Sequence, residues 1–159
     1  MRKFFGVCLV AMCFNLPASA KSCYSMAEAE AEQGIRIHSE LMVIGLNCQH
    51  MTPAGHENYY AQYRQFTALH QALFKNYEDR LIAYFKRTGQ SNPVGALNDL
   101  RTSFANKISQ NAAKMRPDVF CSRYMERIEK AQRMDNQKIR KWATTFYETH
   151  PVSHPICDQ

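Results

Sequence analysis

The residues able to do chemistry fall into three small groups. Cys48, His50, Met51 and His56 bring soft and borderline metal ligands into one loop, a set suited to copper or zinc. His150, His154 and Cys157 repeat the theme in the last ten residues. Neither group has a recognised ligand spacing, and oxidation of Cys48 or Cys157 would remove a thiolate. The ordinary reading of both is therefore a solvated loop beside a disulfide, and no cofactor is expected. His38 and His70 form the third group. If the helices that carry them pack antiparallel, the two imidazoles lie within about two turns of each other along the axis. A buried pair of this kind could charge at about pH 6 and open the packing; the plainer alternative is two hydrogen-bonded core histidines.

Signatures of common catalysts are missing. There is no Glu-x-x-His for a carboxylate-bridged metal pair, no His-Glu-x-x-His, no Cys-x-x-Cys-His, no Gly-x-Ser-x-Gly and no phosphate-cradling glycine loop, so an enzyme is not expected. The clearest surface feature is basic. Arg123, Arg127, Lys130, Lys138 and Lys141 share one edge if the helix that carries them is continuous. With any exposed part of the apolar run from Leu41, Met42 and Val43 to Leu46, that edge makes a candidate partner surface. Its bland reading is a solvated face, partly neutralised by Glu126 and Glu129, beside a core segment.

Helices must position these groups. The first is expected from about Ser25 to Asn47, with Glu28, Glu30 and Glu32 favourable near its start. Gly34 and Gly45 weaken it intrinsically, which points to close approach by neighbouring helices. After a loop around Pro53 and Gly55, Glu57 to Thr88 runs about nine turns without a breaker, its stripe being Tyr59, Tyr63, Phe66, His70, Leu73, Tyr77, Leu81 and Tyr84. Asn92 and Pro93 then suit the N-cap and first position of a third helix. The fourth is expected over about Asp118 to Glu148, because Phe120, Tyr124, Ile128, Ala131, Asp135, Ile139, Trp142 and Phe146 keep helical phase. A break near Asp135, giving five helices, is the alternative. From about Thr149 the tail cannot be helical, since Pro151 and Pro155 interrupt it.

The first twenty residues read as a signal peptide. Arg2 and Lys3 precede an apolar run from Phe4 to Leu16 and a small-x-small site at Ala18, Ser19 and Ala20. Residues 21–159 are then one helical domain, and no stretch is long and apolar enough to span a membrane. With 20 Lys and Arg against 14 Asp and Glu, and Arg2 and Lys3 lost with the leader, the remainder stays moderately basic. That favours a protein or an anionic envelope component as partner; nucleic acid is not expected. Cys23, Cys48, Cys121 and Cys157 remain, an even number in an oxidising compartment.

Four helices with short connections pack most simply as an up-down-up-down bundle. Helix polarity then chooses the disulfides. Cys23 and Cys48 terminate one helix and lie roughly 35 Å apart at 1.5 Å per residue, far beyond the about 7 Å that a bridge tolerates. Cys23 with Cys157 and Cys48 with Cys121 is the expected pairing. The functional expectation is a non-catalytic periplasmic or secreted protein that binds another macromolecule, of inhibitor, immunity, chaperone or secretion-accessory type. The alternative is a carrier of a small ligand or metal, held in the bundle or in the histidine-containing loop and tail.

Overall fold

A computed structural model describes residues 22–157; the expected signal peptide lies outside the described residues. Chain order begins with α1, Met26–Cys48. Ser25 starts it with a capping box: its hydroxyl accepts from the Glu28 amide at 3.3 Å, and the Glu28 carboxylate accepts from the Ser25 amide at 2.7 Å. Every residue from 31 to 37 is buried, two turns with no solvent face, which only a helix surrounded by others can show. Small residues permit this. A Cβ on Gly34 would stand 2.3 Å from the Tyr77 ring, and one on Gly45 would stand 3.3 Å from the Tyr60 Cα, so the expected close approach is present at both glycines.

A single 3-10 turn, Gln49–Met51, leads into α2, Tyr59–Leu69, and α3, Gln71–Arg87. Next come α4, Pro93–Lys114, α5, Pro117–Tyr124, α6, Glu126–Gln132, and α7, Asn136–Ala143. All of α2 to α7 touch α1, so the fold is an all-α bundle gathered around its first helix. Both disulfides form as helix polarity requires: Cys23–Cys157 with Cα atoms 5.1 Å apart, and Cys48–Cys121 with Cα atoms 5.5 Å apart. Among the described residues no helix is long and apolar enough to cross a membrane.

Two expected long helices are divided. The stretch from Glu57 to Thr88 bends at His70, whose φ of −108° and ψ of 18° leave the helical region. The stretch from Asp118 to Glu148 is interrupted at Met125 and again at 133–135. Arg133 and Met134 tighten to i→i+3 bonds, and Asp135 turns extended to cap α7 by accepting from the Lys138 amide at 2.8 Å. The five-helix alternative thus located this break correctly, and Asp135 is exposed at a helix start instead of buried on a seam. The breaks at His70 and at 133–135 meet. His70 Nδ1 and Asn136 Oδ1 are 2.6 Å apart, and Gln132 Nε2 donates to the Gln62 carbonyl at 3.0 Å. Neither break contains proline or glycine; a contact between distant segments accompanies both. Helical structure ends at Ala143, so the tail begins before Thr149.

Candidate functional site

The tail does not hang from its disulfide alone. It crosses the first half of α1, and α1 answers with polar side chains. Glu32 is fully buried, and Gln33 and Arg36 are each 6% exposed. Gln33 Nε2 donates to the His150 carbonyl at 2.8 Å, Arg36 Nη2 donates to the Pro151 carbonyl at 2.7 Å, and the Ser153 amide donates to Glu32 Oε1 at 2.9 Å. The Ser153 hydroxyl also bonds Glu32. Irregular backbone has no helical ladder to satisfy it, so its buried carbonyls and amides need side-chain partners. At the end of the strap Tyr24 donates its amide to Pro155, and Cys157 donates its own to Tyr24. Arg36 is held further by Glu32 at 3.6 Å and by the face of Phe104 at 4.3 Å.

Outside this strap lies a cleft in two chambers. The inner one, about 220 Å³, is lined by Gln33, Arg36, Ile37 and Glu40 of α1, with Arg127, Trp142 and His150. Those α1 positions are spaced three and four apart and therefore share one face. The outer chamber, about 350 Å³, adds Lys107, Ile108 and Asn111 of α4 and Arg123 of α5. Glu40, Arg127 and His150 line both. Arg127 Nη1 donates to Glu40 Oε2 at 3.2 Å, and His150 Nε2 stands 3.9 Å from Glu40 Oε1. Arg36, Lys107, Arg123 and Arg127 face the cleft against one lining carboxylate, with Glu32 behind Arg36. The field is positive. His150 registers it: burial pulls the imidazole below its ordinary pKa, Glu40 opposes that, and Arg36, Lys107 and Arg127 reinforce it. Arg36 Nε is buried and has no hydrogen-bond partner among the described residues.

The expected partner surface is only partly assembled. Arg123 and Lys130 are exposed, Arg127 is partly covered by its bond to Glu40, and Lys130 pairs with Glu126 at 2.9 Å. Lys138 and Lys141 are exposed on α7, beyond a break that removes the continuous helix on which a shared edge depended. Leu41 and Val43 are core residues and offer no such surface; Met42 is half-buried, and Leu46, at 41% exposed, is the most exposed part of that run. Burial on several sides of α1 is the reason.

His38 and His70 are both drawn into one aromatic cluster. His38 packs on Tyr63 and Phe74, with Nε2 3.2 Å from the Tyr63 hydroxyl, while His70 packs on Phe66, which itself meets Phe74. Burial, and then Arg101, lowers the His38 pKa to about 4, so His38 does not charge near pH 6 and the expected sensing is corrected for it. His50, Met51 and His56 are exposed beside the disulfide-bonded Cys48. His154 packs against Tyr24 and Tyr84, and His150 faces Glu40. Among the described residues no group of three or more His, Cys, Asp or Glu is placed to hold a metal ion.

Glu32, Gln33, Arg36, Glu40 and Lys107 were not recognisable as one site from periodicity. A signal was present: they occupy or face a helix whose Ala29, Ala31 and Gly34 invite neighbours on every side, so polar residues among them must be buried and partnered. Comparison with protein-family models, curated proteins and solved structures gave no match.

Proposed function

We propose that this chain is a non-catalytic, exported helical protein that binds another macromolecule in the bacterial envelope, and that the cationic cleft is its recognition surface. The observation that carries this reading is the convergence of Lys107, Arg123 and Arg127, from α4, α5 and α6, around one open chamber. Basic residues drawn from separate segments around a concavity focus the field more than a solvated helix edge does. The expected leader and the two disulfides support a periplasmic or secreted setting. An acidic protein suits the charge.

The test uses the native partner recovered from envelope fractions. Charge reversal by Lys107→Glu and Arg123→Glu should slow association at least about tenfold at low salt and flatten its salt dependence. An unchanged association rate, in a variant with native thermal stability, would reduce the cleft to a solvated face.

A further inference from the structure

We infer that the inner chamber is a receptor for one carboxylate of the partner protein, with Arg127 as donor, Arg36 as a supporting charge and Glu40 as the internal carboxylate that occupies its place. The inference rests on the binding reading above and gives it a chemistry. Glu40 already shows that a carboxylate fits between Arg127 and His150, yet the fit is loose. It accepts one bond from Arg127 at 3.2 Å and stays 3.9 Å from His150 Nε2, whereas a guanidinium presents five N–H groups and pairs carboxylates best through two parallel bonds.

A second positive charge lies nearby. Arg36 lines the same chamber and is 6% exposed. Its Nη2 is taken by the Pro151 carbonyl and its Nε is sealed from solvent, so Arg36 contributes charge to the chamber rather than the contact itself. Size narrows the class. About 220 Å³ is smaller than the roughly 300 Å³ at which drug-sized pockets begin, and suits the end of an acidic side chain. Ile37 and Trp142 in the lining offer apolar contact to its methylene stem.

Trp142 is the single tryptophan, so its fluorescence reports on the chamber directly. The disulfide-intact protein is titrated at low ionic strength with acetate, with acetamide as the neutral isostere and with inorganic phosphate, while the His150 ring is followed by NMR. Acetate should give a saturable Trp142 response and raise the His150 pKa; acetamide should do neither. Glu40→Gln removes the internal competitor and should tighten acetate by at least about tenfold, the lower end of what a charge-assisted hydrogen bond is worth. Arg127→Gln should abolish the response, and Arg127→Lys, which keeps the charge but loses the fork, should weaken it if the first variant does not fold.

No saturable acetate response in either the native protein or Glu40→Gln overturns the inference. So does phosphate binding more tightly than acetate, which would assign the cleft to a phosphate-bearing partner. The two readings fail separately. Salt-dependent association that depends on Lys107 and Arg123, without acetate binding, would sink the carboxylate receptor alone. Acetate binding with association indifferent to those charges would sink the macromolecular reading and leave a small-anion site.

Discussion

Between Ala29 and Ile37, α1 buries Glu32, Gln33 and Arg36, whereas between Leu41 and Cys48 it buries Leu41, Val43, Ile44 and Cys48. What covers each half accounts for the contrast. The second half is met by α2, whose Tyr59, Tyr60 and Tyr63 approach Gly45, and by α5 through the Cys48–Cys121 bridge. Those helices satisfy their own backbones and ask only for shape. The first half is met by the tail, which brings unpaired carbonyls and amides and must be given donors and acceptors. A buried charged pair here serves the irregular segment laid over it, and the cleft opens where that service ends.

The sharpest way to break this comparison is Glu32→Ala. It leaves Arg36 buried without its carboxylate and removes the acceptor for Ser153, an uncompensated burial expected to cost about 3–5 kcal/mol in urea unfolding. Leu41→Ala in the other half should cost about 2–5 kcal/mol, from lost transfer and cavity terms. The two halves differ in what a second substitution does. Replacing Glu32 and Arg36 together by Leu and Met should recover much of the loss while loosening the tail to proteolysis; a double variant no better than Glu32→Ala would deny that the pair exists for the tail.

His38 lies between the halves and offers a pH test of where burial is strict. Its folded pKa of about 4 is below the ordinary imidazole value, so the unfolded chain takes up the proton first. Stability is full above about pH 6.5 and is lost as pH falls towards 4, by at most about 3 kcal/mol. Compared with His38→Gln across pH 7 to pH 4.5, the native protein should lose stability faster; parallel curves would contradict this.

The glycines sharpen the contrast at smaller magnitude. Gly34→Ala drives a methyl into the Tyr77 ring and should cost about 1–3 kcal/mol as overpacking. Gly45→Ala meets backbone at a tight but tolerable 3.3 Å, and the helix propensity gained, up to about 1 kcal/mol, opposes that crowding. Its midpoint should move less than that of Gly34→Ala; the reverse order would mean that the second half is the tighter one. Least of all, Lys138→Gln and Lys141→Gln, both exposed on α7, should shift thermal stability by no more than about 0.5 kcal/mol.

Local pattern carried much of the architecture. The start of α1 at Ser25, the Asn92 and Pro93 start of α4, the buried stripe of Tyr63, Phe66, Leu73 and Tyr77, and the pairing of the four cysteines all follow from spacing and helix polarity, which need only neighbouring residues or the length of one helix. Phase even survived the break at 133–135, since Phe120, Tyr124, Ile128, Ala131 and Ile139 are all buried. The bend at His70 was not legible, and the break near Asp135 was open only as an alternative to a continuous helix. His70 and Asn136 are 66 residues apart, and no local window contains the contact that joins the two bends.

The same reason hides the cleft. Glu32 and Arg36 have the four-residue spacing of an ordinary surface pair, and become a buried dock only because the tail returns more than a hundred residues later, with sequence separations of 115 to 121 for its bonds to Arg36 and Glu32. By itself the sequence determined that the chain is helical, where most helices start and which cysteines meet, because hydrogen bonding within a helix and hydrophobic periodicity are local. Only the tertiary structure decided that α1 is central, that two helices bend against each other, and that Arg36, Glu40, Arg127 and His150 converge, because burial and field are sums over everything that surrounds a group.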